Sequence, residues 1–210
     1  MLNNFLRLST ENNYSFTFLE YFRKTLNFAY RHIILQNKRM HFDYTTRIEG
    51  LRNIEVYDNI YAGKHFWLAA YEKYGEQLFA PRIIFKGTFS ASDFCHIGAT
   101  NYVEIGDNVL FGSKVYVTDH GHGFYSGEGM HSLPIEPPIK RLLNNDKRVI
   151  IGDNVWVGDN VVILPDVTIG NGCVIGSNAV VTKDIPDNCI AVGIPAKVIK
   201  RFDKDSKKWL

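Results

Sequence analysis

Residues 151–186 decide the fold, and they read IGDNVWVGDNVVILPDVTIGNGCVIGSNAVVTKDIP. In steps of six this stretch becomes IGDNVW, VGDNVV, ILPDVT, IGNGCV, IGSNAV and VTKDIP. The first position of each unit is a branched aliphatic residue, the fifth is small or apolar, and Gly, Asp and Asn fill most positions between them. Neither the helical period of about 3.6 residues nor the alternation of a strand produces this pattern.

The six-residue unit predicts a parallel β-helix. In each unit a short strand turns one aliphatic side chain inward, and Gly, Asn and Asp form the corner that follows. Stacked coils share one core and cover each other's edges, so the two ends of the stack need caps. The same phase occurs in residues 105–117, and a weaker, earlier register spans residues 48–66. We therefore expect an all-β chain.

Departures from the period suggest how the chain is organised. Residues 67–104 are aromatic-rich and out of phase, which indicates irregular coils or an inserted excursion. Residues 118–148 break the period altogether, and a long excursion from a compact repeat is usually functional or disordered. The expected segments are a helical extension (1–45), irregular coils (46–117), a protruding loop that carries histidines (118–148), regular coils (149–193) and a cap (194–210).

The N-terminal segment differs in kind from the repeat. Apolar residues recur there at three- and four-residue spacing, which predicts an amphipathic helix over residues 16–36. Packing of this helix on the β-helix or on a partner subunit is one interpretation. Contact with an anionic membrane surface is the other, through the basic residues Arg23, Lys24, Arg31, Lys38 and Arg39.

Composition argues against several classes of function. The net charge is +2 without a long Lys/Arg run, so we do not expect nucleic-acid binding. Cys95, Cys173 and Cys189 are widely and irregularly spaced, which indicates neither a disulfide framework nor a CxxC metal site. The N-terminus has no continuous apolar segment, and we expect neither export nor membrane spanning.

Two segments resemble the hexapeptide-repeat acyltransferases of the maltose/galactoside acetyltransferase-like group. They are IGDNVLFGSKVYVTDHGHG at residues 105–123 and the repeat continued to VGIPAKVIK at residue 200. The resemblance is closest to bacterial O-acetyltransferases of O-antigen or capsular polysaccharide, and it does not extend to residues 1–45. It implies a left-handed coil, a homotrimer, and active sites between subunits to which one subunit contributes the histidine loop.

The resemblance also implies a reaction, the transfer of acetyl from acetyl-CoA to a sugar hydroxyl with a histidine as general base. Counting without gaps places the base of the galactoside group on His122, whereas Asp119-His120 resembles the "DH" core of the polysaccharide group. Histidine suits this task because its ordinary pKa lies near neutrality. Asp119 either orients an imidazole or forms a turn. Trp156 matches the tryptophan that walls the site and excludes water.

The remaining residues of the expected site follow from the same resemblance. Acetyl-CoA is expected to contact Trp156, Asp159, Ser177, Thr182, Lys183, Lys197 and Lys200, with the lysines meeting its phosphates. Asp93 and His96 are candidates for binding the acceptor, a glycan or an activated sugar. We expect no metal, and a location in the cytoplasm or at the inner face of the cytoplasmic membrane.

Four alternatives remain open from sequence. A zinc enzyme of the γ-carbonic anhydrase kind needs three converging ligands, for which His96, His120 and His122 are available. A non-catalytic sugar-binding scaffold is the second alternative, because a fold does not determine a function. The third is the C-terminal part of a sugar nucleotidyltransferase, although no Gly-rich nucleotide-binding segment precedes the repeat. An N-acyltransferase acting on an amino sugar is the fourth.

Overall fold

The computed structural model describes residues 18–30 and 39–210. These residues form one α-helix, α1 (Phe18–Ala29), and 24 strands that we number along the chain. Three parallel sheets hold most of the strands, and the chain visits sheets A, B and C in turn. This stacked three-sheet arrangement is typical of the hexapeptide left-handed β-helix. The repeat predicts the stacked coils, and the left hand is what the family resemblance implies.

The strands fall into the sheets as follows. Sheet A contains β1 (Met40–Phe42), β4 (Ile60–Ala62), β9 (Phe89–Ala91), β12 (Val109–Phe111), β17 (Trp156–Val157), β20 (Val174–Ile175), β22 (Cys189–Val192), β23 (Lys197–Asp203) and β24 (Lys208–Trp209). Sheet B contains β2 (Arg47–Glu49), β5 (Trp67–Ala70), β10 (His96–Ala99), β13 (Tyr116–Thr118), β18 (Val162–Ile163) and β21 (Val180–Val181). Sheet C contains β3 (Ile54–Val56), β8 (Arg82–Phe85), β11 (Tyr102–Ile105), β16 (Arg148–Ile151) and β19 (Val167–Ile169).

The six-residue unit explains the geometry of the C-terminal coils. The aliphatic first positions are all buried in the core: Ile151, Val157, Ile163, Ile169, Ile175 and Val181. The fourth positions of the first five units have positive φ, between 56° and 67°: Asn154, Asn160, Asp166, Gly172 and Asn178. Gly, Asn and Asp tolerate this left-handed conformation better than other residues, so the same residue types recur at every corner.

The length of a coil changes along the stack. In the regular repeat Trp156 pairs with Val174, and the number of residues between them along the chain is a whole number of six-residue units. Val174 pairs in turn with Ile190, which is fewer residues away. In the N-terminal coils Met40 pairs with Ile60, an interval that is longer and is not a multiple of six. The hexapeptide phase is therefore lost upstream although the stack continues. Bulky side chains, among them Phe66 and Phe89, fill the wider coils.

Two excursions leave the stack. The first is a hairpin of β6 (Lys73–Tyr74) and β7 (Gln77–Leu78) between β5 and β8. Residues 67–104 are otherwise part of the three sheets, so an insertion of the whole segment is wrong and only this hairpin protrudes. The second excursion lies between β13 and β16, and its ends pair as β14 (Gly121–His122) and β15 (Leu143–Asn144). Two 3-10 turns lie at Leu51–Asn53 and Pro138–Lys140.

Helix α1 packs on the first coil. Arg23 forms an ion pair of 2.8 Å with the buried Asp43, and Asn27 also donates a hydrogen bond to that carboxylate. The remainder of the helix predicted over residues 16–36, together with Arg31 and Lys38, lies outside the described residues. Among residues 18–30 and 39–210, no helix is both long and apolar enough to cross a membrane.

Candidate active site

A buried carboxylate and a histidine meet where the chain leaves sheet B. Asp119 has no exposed surface, and its carboxylate accepts hydrogen bonds of 2.7–3.2 Å from the backbone N–H groups of residues 100–102. Its Oδ1 lies 2.8 Å from Nδ1 of His120. Because a carboxylate can only accept, Nδ1 of His120 carries the proton and Nε2 presents a lone pair. Asp119 is therefore both a corner residue and a partner of the imidazole.

Aromatic rings enclose the His120 imidazole. Tyr71 meets it edge to face, at 5.7 Å between ring centroids and an interplanar angle of 87°. The Tyr71 hydroxyl lies 3.4 Å from Nε2 of His96. All three rings converge over Gly98, where an added Cβ would lie 3.3–3.6 Å from each of them. A glycine at this position therefore leaves the space that the three rings occupy.

His96 belongs to a ladder of side chains on the outer face of sheet B. It stacks on Trp67 with ring centroids 4.1 Å apart and planes within 4°, and the guanidinium of Arg47 lies over the same indole. Burial lowers the pKa of His96 to about 4, and the nearby charges of His120 and Arg47 act in the same direction. His96 is thus a neutral wall of the site at neutral pH. Burial likewise raises the pKa of Tyr71 to about 12.

His122 lies on the exposed hairpin of the second excursion. Its Nδ1 is 3.2 Å from the hydroxyl of Tyr74, and that hydroxyl donates its proton to the carbonyl of Ile139 at 2.6 Å. The side chain of Gln77 bonds both the N–H and the C=O of Leu143, as a neighbouring strand would. The β6–β7 hairpin thereby anchors the excursion that carries both histidines.

These residues surround one cleft of about 410 Å³. His96, His120, His122 and the rings of Trp67, Tyr71, Tyr74 and Tyr116 line it, together with Arg47, Lys73 and Leu143. The structure thus brings three predicted site residues, His96, His120 and His122, to one place, with Asp119 directly behind His120. Sequence reasoning did not find Tyr71, Tyr74, Gln77 or Arg47. The aromatic content of residues 67–104 was the available signal for the two tyrosines.

Trp156 lies on a different face of the chain. It is 54% exposed on the outer side of sheet A, in register with Leu110 on one side and Val174 on the other. It does not line the histidine cleft of its own chain. In the same direction, Val174 is followed in register by Ile190 and then Lys200. Trp156 and Lys200 therefore belong to one surface column.

Asp93, Asp159 and Ser177 occupy the corner between sheets A and B. The Asp93 carboxylate accepts the N–H of Lys64 at 2.7 Å, and the Asp159 carboxylate accepts that of Ser113 at 2.6 Å. Ser177 accepts the N–H of Asp159 at 3.2 Å. Each side chain thus caps the backbone of a neighbouring coil. The structure does not bring Asp93 to the histidine cleft, because its carboxylate is at another corner.

The other residues expected to contact acetyl-CoA are exposed. Thr182 and Lys183 follow β21 and leave sheet B at the same corner as His120, further along the stack. Lys197 pairs with Val192 and lies on β23, the strand that ends sheet A together with β24. These cations surround the last coils, although no side-chain contact among the described residues ties them to the histidine cleft.

The zinc alternative requires three ligands directed at one point. Within residues 18–30 and 39–210, no three His, Cys, Asp or Glu side chains form a group that could hold a metal ion. The described geometry therefore does not provide that ligand set.

Comparison with known proteins agrees with the fold and with the repeat. The family model of the bacterial transferase hexapeptide, with six repeats, matches residues 148–183. A variant of AntD, an N-acyltransferase from Bacillus cereus solved in complex with dTDP and coenzyme A, aligns with a TM-score of 0.58 over 80% of this chain and 82% of its own. At 18% identity this similarity concerns the fold.

Two curated relatives from Escherichia coli strain K12 are closer in sequence. WbbJ, provisionally named a lipopolysaccharide biosynthesis O-acetyl transferase, is 42% identical over 127 residues, which is 60% of this chain and 64% of WbbJ. Galactoside O-acetyltransferase is 38% identical over 138 residues, 58% of this chain and 61% of that enzyme. The chain thus spans less than two thirds of either relative. Its repeat and these relatives show that the chain is similar to hexapeptide-repeat acetyltransferases over about 60% of its length.

Proposed function

We propose that the protein transfers an acetyl group from acetyl-CoA to a hydroxyl of a bacterial cell-surface sugar, such as an O-antigen or capsular glycan. The observation that carries this proposal is the pair formed by Asp119 and His120 at the end of an aromatic cleft. The names of the two relatives support the reaction class, because both refer to O-acetyl transfer.

His120 is the better candidate for the base. Its Nε2 removes the proton of the acceptor hydroxyl while that oxygen attacks the thioester carbonyl, and Asp119 stabilises the resulting imidazolium. The imidazolium then returns the proton to the departing thiolate, so that free coenzyme A leaves. His122 is bonded to a neutral phenol and lies on the exposed hairpin, which gives its imidazolium no comparable partner among the described residues.

We further propose that acetyl-CoA binds between two subunits of a homotrimer. Within one chain Trp156 and the histidine cleft lie on different faces, and Trp156 and its neighbour Leu110 are about half exposed, at 54% and 48%. An exposed apolar column of this kind favours burial against another copy. The column ends at Lys200, which would meet a phosphate while Trp156 approaches the thioester. The expected location is the cytoplasm or the inner face of its membrane.

The first test is thiol release from acetyl-CoA with a panel of bacterial surface glycans and amino sugars as acceptors. Wild type is compared with His120→Ala and His122→Ala. Acceptor-dependent release that His120→Ala abolishes and His122→Ala only weakens is the expected result. Failure to bind acetyl-CoA would refute the transferase, and product formed only on amino sugars would refute O-acetylation.

Subunit mixing tests the shared site. His120→Ala and Trp156→Ala chains are each expected to be inactive alone. If one subunit supplies His120 and its neighbour supplies Trp156, trimers assembled from an equal mixture regain intact sites, about one quarter of the total. A mixed trimer that stays inactive would place both residues in one subunit's site, and a Trp156→Ala chain that is active alone would leave Trp156 without a role.

A further inference from the structure

The charges at the histidine cleft are unbalanced. Arg47 and Lys73 are the permanently charged residues among the ten described residues that line it, and none of the ten is a carboxylate. The carboxylate of Asp119, close to His120, is buried and bonded to the imidazole and to three backbone N–H groups. A ligand in the cleft therefore faces the ammonium of Lys73 and the outward N–H groups of Arg47, whose charge Glu49 partly offsets.

Arg47 is held in a fixed orientation. Its guanidinium carbon lies 4.4 Å from the centroid of Trp67, and one nitrogen contacts Glu49 at 2.7 Å. Glu49 also accepts a hydrogen bond of 3.1 Å from the indole N–H of Trp67, so two donors share this carboxylate. The Arg47 side chain is nevertheless 63% exposed, which leaves further N–H groups directed to solvent.

Lys73 is the second cation, and it lies on the hairpin that anchors the histidine loop. It precedes Tyr74, whose hydroxyl contacts His122. In the part of the chain that the structure describes, the Lys73 ammonium has no hydrogen-bond or ion-pair partner. Its charge is therefore uncompensated at the edge of the cleft.

This arrangement discriminates between kinds of acceptor. A sugar hydroxyl both donates and accepts, whereas Arg and Lys can only donate, so they bond the oxygens of a neutral sugar and leave its hydroxyl protons to water or to other groups. Phosphate and carboxylate groups only accept, and they form short, charge-assisted hydrogen bonds with such donors, the guanidinium most favourably.

We propose that the acceptor sugar carries an oxyanion, a phosphate or a carboxylate, that binds between Arg47 and Lys73 while the hydroxyl to be acetylated reaches Nε2 of His120. This inference rests on the proposed function and adds the chemical class of the acceptor to it. A sugar phosphate and a uronic acid supply the same chemistry, and the two arms of the experiment separate them.

The experiment measures binding by ligand-observed NMR with three probes that share a glucose ring. They are methyl glucoside, which is neutral, methyl glucuronide, which carries a carboxylate, and glucose 1-phosphate. Wild type is compared with Lys73→Gln, Arg47→Gln and the control Lys204→Gln, an exposed lysine in the C-terminal hairpin away from the cleft. Acetyl-CoA binding is measured on the same samples.

We expect at least one anionic probe to bind roughly ten-fold more tightly than methyl glucoside, the effect of one charge-assisted hydrogen bond. Lys73→Gln and Arg47→Gln should each remove most of this preference, and Lys204→Gln should keep it. The inference is overturned if neither anion binds, if the neutral probe binds equally well, or if the preference survives both substitutions. If the wild-type protein does not bind acetyl-CoA, that result would instead refute the proposed function.

Discussion

The substitution Asp119→Asn tests the chemistry of the site most directly. An asparagine has nearly the shape of the aspartate but carries one acceptor oxygen and one donor nitrogen. With its oxygen in the place of Oδ2 it keeps the hydrogen bonds from the N–H groups of Asn101 and Tyr102, now 2.8 and 2.7 Å. Its nitrogen then faces Nδ1 of His120 and the N–H of Thr100, both of which now contact Oδ1.

The consequences for rate and stability can be estimated separately. An amide that donates to Nδ1 of His120 moves the imidazole proton to Nε2, so the base is lost from the position that faces the cleft. General base catalysis typically contributes about 10² to 10⁴-fold, and we expect kcat to fall by a factor in that range. The N–H of Thr100 loses its 2.9 Å bond to Oδ1 and keeps only the longer contact of 3.2 Å to the oxygen in the Oδ2 position, which costs at most about 1.5–3 kcal/mol of stability.

The assay compares kcat for thiol release with urea unfolding, using Asp107→Asn as the matched control. Asp107 also caps a neighbouring coil, accepting the N–H of Thr88 at 2.8 Å, and it lies away from the described histidine cleft. The control should lose stability and keep its turnover number. A folded Asp119→Asn protein with an unchanged turnover number would refute both the tautomer argument and His120 as the base.

Three further predictions follow from neighbouring residues. Gly98→Ala should lower kcat while the unfolding midpoint changes little, because its methyl group would lie 3.3 Å from the ring of Tyr71, which can shift slightly toward His120; unchanged kinetics would contradict this packing. Gln77→Glu should raise the KM for the acceptor and increase amide hydrogen exchange in residues 121–144, because a carboxylate cannot donate to the carbonyl of Leu143. Gln77→Asn, whose side chain is too short to reach that carbonyl, should have the same effects. Unaltered exchange would contradict the role of Gln77 as an anchor. His96 should make stability depend on pH, because its folded pKa of about 4 lies below the ordinary 6.5. The contribution of neutral His96 to the free energy of unfolding is complete above pH 6.5 and falls by roughly 3 kcal/mol as the pH drops to about 4. In urea titrations, the difference in unfolding free energy between wild type and His96→Gln should therefore depend on pH only below pH 6.5.

Sequence predicted the C-terminal coils because their chemistry repeats at every corner. Val157 and Ile175 are buried where the six-residue phase places them, and Asn160 and Asn178 adopt the left-handed turns. The N-terminal coils obey the same physics, but the interval at which their strands pair is not a multiple of six, so only a weak register over residues 48–66 could be detected. For residues 67–104 the aromatic content indicated irregular coils or an excursion without deciding between them.

The site was predicted in part for a related reason. Asp119 and His120 are adjacent in sequence, so a local motif was sufficient to find them. Tyr71 reaches the same cleft, and Gln77 reaches the backbone of Leu143 beside it, only because the excursion at 71–81 lengthens the coil in which Trp67 pairs with His96. Contacts of this kind depend on the lengths of two excursions together, and no pattern within one segment encodes them.

The shortening of the coils gives the stack a direction that has consequences for how such a chain can grow. Duplicating the segment 151–168 would insert one more turn beside the original coil, which has the same perimeter, with every aliphatic residue still facing inward. The same copy placed beside Phe66 and Phe89 would meet longer coils, and its corners would no longer lie over theirs. Tandem duplication can therefore lengthen the regular half of the stack but not the aromatic half. The histidine cleft lies in the half that cannot be lengthened in this way.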